Sequence, residues 1–458
     1  MSNHRELAIQ YAHQHQEAFL NNLKEIGSIP SVSTEATYQQ EVKRAAEWVA
    51  AHLKALGLAN VQIFRTDRHP IVYGEDLSAG AKRPTGLVYG HYDVQPAEPL
   101  ELWESPAFEP AVRGEELYGR GVSDMKGQVI ASLAAVEAIL KTGKLPINLK
   151  FIFEGEEEIG SPHLGPFIHS HLDLLSCDFA INPDTGMIDA DIPTITYALR
   201  GISYFELRLT GPDHDLHSGT FGGTVHNPAQ VMCELIAGMH DNDGRITLPG
   251  FYDKVRPLEA EERRELARLP MGEEFFKSQT GVPSLWGEKG FTPVERTGVR
   301  PTLEVNGLIS GYTGPGAKTV IPHRATAKIS MRLVPDQNPA EVKDQLLAYL
   351  KTNVPPTVRY EISDLQGGPA SISDRNSPYI KALSKALETV WGTRPMFKRD
   401  GGSVPVVTDF QNFLGVESLN TGFGLLNDKA HAPNEKLHLP TFYKGIDALI
   451  HLFYNLAE

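Results

Sequence analysis

Along the first two hundred residues, short apolar runs alternate with stretches of helical periodicity. From about Glu6 to Ile26 the residues Leu7, Tyr11, Phe19, Leu20 and Leu23 recur at helical spacing, and the turn-rich IGSIPSVST follows. From Glu41 to Leu56 the positions Val42, Ala45, Ala46, Val49, Leu53 and Leu56 fall on one face of a second helix. Then come VQIF, TGLVYGHYD, a helix from Gln128 to Leu140, and LKFIFEGEEE. Strands alternating with helices predict an α/β domain, a central and mostly parallel sheet flanked by helices. In such sheets chemistry gathers where strands end at their carboxyl edge. GHYD and EGEEE both follow an apolar run directly.

The pattern changes near Gly201. GISYFELRLTG alternates like a half-buried strand, and Pro228 to Met239 reads as a helix. A polar excursion from Asp241 to Arg300 follows. TLEVNGL and ATAKISMRLV then alternate as strands, Ala340 to Lys351 is helical, and TVRYEIS is a strand. The order β-α-β-β-α-β is that of a ferredoxin-like α+β unit. After a helix from Ser377 to Val390 the α/β character returns. The expected organisation is a larger domain made of residues 1–199 and 385–458, split by a smaller inserted domain at 200–384.

The length of 458 residues agrees with more than one core. Hydrophobic residues at 41% and charged residues at 22% give an ordinary globular balance. A net charge of -14 leaves no basic excess to meet phosphates, which argues against a nucleic-acid partner. Two cysteines, Cys177 and Cys233, lie outside any CxxC pair and read as buried free thiols of a reducing compartment. The N-terminal residues have no apolar core of signal-peptide length, and no window approaches a membrane span. The expectation is a soluble, cytoplasmic protein with no membrane partner.

Candidate chemistry sits at the ends of the apolar runs. His91 and Asp93 are two apart on an extended segment and share a side. A carboxylate there can hold the second ring nitrogen of a metal-bound imidazole; the alternative is a loop histidine beside a solvated aspartate. Asp124, in the turn GRGVSDMKG, either binds an ion or caps the helix that follows, as Ser123 also can. Glu154, Glu156, Glu157 and Glu158 crowd together after a strand, with nothing in the next few residues to neutralise them. They form either a solvated acidic loop or a cation site, in which one of Glu157 and Glu158 binds a metal while its neighbour reaches a bound water. Asp184 in INPDTG and His431 in KAHAPNEKL complete the set. Nitrogen and oxygen ligands without thiolate suit zinc or a similar divalent ion. Five such groups are more than one catalytic ion needs, whereas one bridging carboxylate plus a histidine and a carboxylate per ion uses them all.

GHYDVQP, GRGVSDMKG, EGEEEIGS, INPDTG, DLHSG, GAKTVIP, RLVP, DGGSVPV and AHAPNEKL occur in this order from about residue 88 to 438. Together they resemble the dinuclear-zinc family of carnosinase, cytosolic non-specific dipeptidase, carboxypeptidase G, aminoacylase and succinyl-diaminopimelate desuccinylase. The dipeptidase branch is the nearest in its motifs. The resemblance implies hydrolysis of the amide bond of short peptides with a free C-terminal carboxylate, by a water activated between two divalent ions, most simply zinc, with manganese or cobalt as alternatives. An N-acyl amino acid deacylase with the same centre is the competing implication. By resemblance, His91 and Asp184 bind one ion, Glu158 and His431 the other, Asp124 bridges them, Asp93 orients His91, and Glu157 is the general base. His217 resembles a histidine that reaches the partner's active site across a homodimer formed by the inserted domain. Arg332 resembles the residue that meets the substrate's carboxylate, and Thr319, Gly402 and Ser403 resemble further substrate contacts. Gln366 precedes a Gly-Gly pair where dipeptidase relatives often carry histidine, and a neutral amide there supplies no positive charge.

Overall fold

The computed structural model describes residues 2–402 and 404–458. The chain folds as two compact units. The first comprises the residues up to Tyr197, Ser373–Phe397 and Pro405–Glu458; the second comprises Ala198–Ile372 and Lys398–Val404.

The first unit is built on a sheet with the strand order Ala59–Phe64, Ile71–Asp76, Asn148–Glu154, Thr85–His91, Phe179–Asn182, Ser418–Asn420, Thr194–Leu199. The four strands at its centre run parallel. The pairs on either flank are antiparallel. A largely parallel sheet is therefore what the centre is, and the flanks make the whole mixed. Asn148–Glu154 and Phe179–Asn182 are buried at every position, and Thr85–His91 at all but its first. That explains why they read as unbroken apolar runs instead of alternating ones. The helix Lys126–Thr142 is apolar nearly all round and covered accordingly. It lies so close to the sheet that a Cβ at Gly90 would stand 2.8 Å from Val129 Cγ2. Because the central strands share a direction, His91, the glutamate run and Asp184 all emerge at one edge.

Three sequence expectations are corrected here. The N-terminal helical stretch is two helices, Ser2–Gln14 and Gln16–Gly27, broken at His15, whose Nδ1 turns back to within 2.8 Å of the Tyr11 carbonyl. The main segment of the second unit stops at Ile372, not at residue 384, because the apolar face of Pro378–Trp391 packs on Leu439–Asn455 in the first unit, and the short segment Lys398–Val404 joins the second unit later in the chain. The free thiols are not both buried: Cys177 is half-buried and Cys233 is exposed on the outer side of Pro228–Gly238.

The second unit carries Gly201–Thr210, Pro228–Gly238, Thr302–Ser310, Arg324–Leu333, Pro339–Asn353 and Arg359–Gly368 in β-α-β-β-α-β order. Its sheet is antiparallel throughout, with Arg324–Leu333 and Gly201–Thr210 at the centre. Alternate residues such as Phe205, Leu207 and Leu209 meet Val231, Leu235, Leu346 and Leu350 of the two helices. Each helix begins at an asparagine whose side chain accepts the N–H two residues on, followed by proline at the first helical position. The polar excursion folds into the short helices Ala260–Leu266, Glu273–Thr280 and Pro293–Gly298. Among the described residues no helix is long and apolar enough to cross a membrane.

Candidate metal centre

At the carboxyl edge of the first unit's sheet, His91 ends a central strand with no exposed surface. Its Nδ1 lies 3.1 Å from the Asp93 carbonyl oxygen and 3.5 Å from the Asp93 carboxylate. The tautomer that donates from Nδ1 leaves Nε2 as a lone pair, 3.2 Å from Asp124 Oδ1 and 3.8 Å from Asp184 Oδ2. The ring is thus oriented by the backbone of Asp93 at least as closely as by its carboxylate. That carboxylate is buried and does further work: its oxygens accept the backbone N–H groups of Glu157, at 3.3 Å, and Glu158, at 3.1 Å.

The glutamate run divides in two. Glu154 turns inward, where its carboxyl accepts from Tyr89 and Ser161 hydroxyls. Burial, with the Asp93 charge added, pushes it up to about 8. Glu156 accepts the His69 N–H at 2.8 Å and lies 2.7 Å from His163 Nδ1. These two are fastened into the fold. Glu157 and Glu158 begin a single 3-10 turn, and a Glu158 carboxylate oxygen lies within 4.8 Å of one of Asp124. Hydrogen-bonding partners for the run therefore do exist: Ser161 and His163 follow closely in sequence, and Tyr89 and His69 come from other parts of the chain.

On the far side of Asp124, His431 Nε2 stands 2.9 Å from Asp124 Oδ2 and 3.2 Å from Glu158 Oε2. The same Glu158 oxygen accepts from Gln95 Nε2 at 2.8 Å. His431 has a backbone φ of 63°, the left-handed region that costs a side-chain-bearing residue energy. Two ligand sets result, His91–Asp124–Asp184 and Asp124–Glu158–His431, each with its donor atoms within 4.8 Å of one another. Asp124 belongs to both.

The electrostatics show a cluster crowded with negative charge. Burial first, and then the charges of Asp124 and Glu158, push Asp184 up to about 7. Glu157 is held well above the usual carboxylate range by burial and by the Asp184, Glu158 and Asp124 charges, against the opposing pull of His91. His431 is raised to about 10 by its contacts with Asp124 and Glu158. For His91, burial would lower the imidazole, but Asp124 and Asp93 beside it outweigh that and raise it. Burial would raise Asp124, yet the two histidines hold it down. Protons are here bound tightly by groups crowded with negative charge, and cations relieve that crowding. The donor set, the spacing and the shared carboxylate fit two divalent ions of the zinc type.

Residues 87–455 match the sequence profile of Peptidase family M20/M25/M40. The chain belongs to that family. It is a hydrolase of the metallopeptidase class, and its relatives include named dipeptidases. A Cys-Gly metallodipeptidase of Candida albicans is 32% identical over 94% of this chain and 93% of its own length. A Beta-Ala-His dipeptidase of Homo sapiens is 30% identical over 99% of this chain and 93% of its own. The crystal structure of an M20 family metallo-carboxypeptidase from Sulfolobus solfataricus superposes with a TM-score of 0.85 at 33% identity, covering 96% of this chain and 99% of the other.

The remaining residues singled out in the sequence of this M20 chain lie in the second unit, except that Ser403 falls outside the described residues. His217 is exposed, and its Nδ1 accepts the Gly219 N–H at 3.0 Å. Thr319, also exposed, accepts the Ser218 N–H through its carbonyl at 3.0 Å, so these two neighbour each other across a short strand pair. Arg332 is half-buried on the second unit's sheet and lines a cavity of about 430 Å³ with Arg200, His240 and Trp286. Gln366 is exposed on Arg359–Gly368 opposite Tyr204, and the Gly402 N–H donates to Asp400. Sequence reasoning missed Gln95 and Glu435. Both lay inside quoted motifs, GHYDVQP and AHAPNEKL, and each is a polar residue within four positions of a ligand.

Proposed function

We propose that this chain is a metal-dependent dipeptidase that hydrolyses the amide bond of dipeptides, or similarly short peptides, bearing a free C-terminal carboxylate. The observation that carries this reading is the pair of ligand sets sharing Asp124, with the backbone of the neighbouring Glu157 fastened by the Asp93 carboxylate. His91 and Asp184 would hold one ion, Glu158 and His431 the other, and Asp124 both. When bound, two such ions supply Lewis acidity toward a carbonyl and bring the pKa of a water toward neutrality. Glu157 takes the proton of the attacking water and returns it to the leaving amine. Asp93 keeps Glu157 and Glu158 in register through their backbone N–H groups, so base and ligand move as one piece. Zinc is the ion assigned, with manganese or cobalt as substitutes.

For the second unit, the proposal gives Arg332 the substrate carboxylate, and Thr319, Gln366, Gly402 and Ser403 the remaining contacts. His217 serves a partner protomer in a homodimer formed through this unit. A cytoplasmic location accords with two unpaired cysteines.

The deciding experiment pairs metal analysis with a substrate panel. Glu157→Gln keeps both ions and loses about 10²- to 10⁴-fold in turnover; a metal-loaded variant with wild-type turnover overturns the assignment of the base. Unblocked dipeptides outrun N-acetyl amino acids and longer peptides. The Sulfolobus metallo-carboxypeptidase likeness favours a second reading, in which peptides of three or more residues are cleaved as fast. N-acetyl amino acids as the best substrates would point instead to a deacylase.

A further inference from the structure

We propose that Glu435 is the positioning residue that holds the shared ligand Asp124 at the distance both ion sites require. The proposal rests on the two-ion reading above and assigns a role to a side chain that reaches no ion itself.

Glu435 has no exposed surface, and both its oxygens are engaged. One accepts the backbone N–H of Ser123 at 3.0 Å and of Asp124 at 3.1 Å. The other accepts the N–H of Gly121 at 3.0 Å and Arg120 Nη1 at 2.7 Å. The loop 120–124 is thus wrapped around a single carboxylate, a nest of N–H groups about an anion. A buried carboxylate is costly unless paired and fully hydrogen-bonded, and Arg120, equally buried, pairs with it.

Glu435 lies four residues beyond His431, in the segment that carries the outer histidine. That segment is fastened to the same loop a second time, where Ser123 Oγ donates to Asp428 Oδ2 at 2.7 Å. The Gly119 N–H also donates to the Glu435 carbonyl at 3.0 Å. Asp124 presents one oxygen to His91 and the other to His431. A tilt of its loop therefore changes both ligand distances at once, and the Glu435 carboxylate supplies four of the hydrogen bonds that tie that loop to the His431 segment.

The chemistry also says why glutamate stands here. All four partners are N–H donors, so the site needs a group that only accepts. A glutamine of the same shape would turn an NH₂ toward two of those donors.

The test is zinc affinity measured against a competing chelator on metal-free protein, with folding checked by circular dichroism and every titration run well below the melting temperature. Wild type takes up two ions. Glu435→Gln takes them up with both affinities weakened about tenfold or more, the size expected when a partner behind a ligand is lost. Val49→Ala, in the helix Gln39–Ala55, lowers the melting temperature and leaves both affinities unchanged. Should Glu435→Gln fail to fold, Glu435→Asp keeps the charge, withdraws it by one methylene and gives the same loss in smaller measure. A folded variant with wild-type affinities overturns the role of Glu435 alone. So does failure of both variants to fold, because the clamp then serves stability and not the ligand. A wild-type chain that takes up no ion overturns the two-ion reading, and this role with it.

Discussion

His91 and His431 stand on either side of the Asp124 carboxylate, 3.2 and 2.9 Å from its two oxygens, and little else about them is alike. His91 ends a strand at the centre of the sheet, is wholly buried, and is oriented through Nδ1 by its own strand's continuation. His431 sits in a loop with a left-handed backbone, and its side chain is 53% exposed. The position of the first follows from the core: whatever stabilises the central strands also places the ligand. The position of the second depends on a few specific bonds, those of Glu158, Glu435 and Asp428. The set containing His91 should therefore hold its ion more firmly and exchange it more slowly than the set containing His431.

The largest effect expected is at the carboxylate common to both. Asp124→Asn retains neither ion after dialysis and shows no turnover; elemental analysis that finds one ion still held would mean the two sets are independent. Next come the histidines. His91→Ala loses an ion and also destabilises the metal-free protein, by about 2 kcal/mol or more, because a buried group is removed. His431→Ala loses the other ion at a smaller cost to the metal-free protein, because the side chain removed is half-exposed. Equal costs in denaturant titrations would erase the contrast. A smaller effect belongs to Gln95→Ala, which removes the amide behind Glu158 and weakens only the outer ion, about tenfold.

The smallest expected effect is one of pH on the metal-free protein. His431, raised from 6.5 to about 10, contributes stability that is complete below its ordinary value and lost as pH rises through the folded one. Asp184, raised from 3.8 to about 7, likewise favours the fold when protonated and loses that contribution across this window. Both signs agree, so the melting temperature of chelated protein falls between about pH 6 and pH 8. Metal-loaded protein trends the other way, because protons compete with cations for the same atoms. A parallel fall in both forms would show that the cluster does not bind the ions.

How much of this was legible in the sequence follows from where each feature gets its cause. Ligands at the ends of apolar strands were legible because a parallel sheet collects such ends on one edge, and His91, Glu157, Glu158 and Asp184 are all of that kind. The six-element order of the second unit was legible from its alternation. The antiparallel flanks were not, since a buried strand reads the same whichever way its neighbour runs. Nor was the division of the glutamate run: Glu154 is hydrogen-bonded by Tyr89 and Ser161 and Glu156 by His69 and His163, and two of these four, Tyr89 and His69, are remote in sequence. Glu435 clamps Asp124 across 311 positions, a pairing that only folding reveals. The stop of the second unit's main segment at Ile372 was hidden for the same reason, because the period of the helix Pro378–Trp391 does not say which element it packs on.

The most direct measurement is anomalous diffraction at the zinc edge from crystals of the zinc-loaded protein. The account predicts two peaks, one beside His91 and Asp184, one beside Glu158 and His431, with Asp124 between them. A single peak, or peaks away from Asp124, would contradict it.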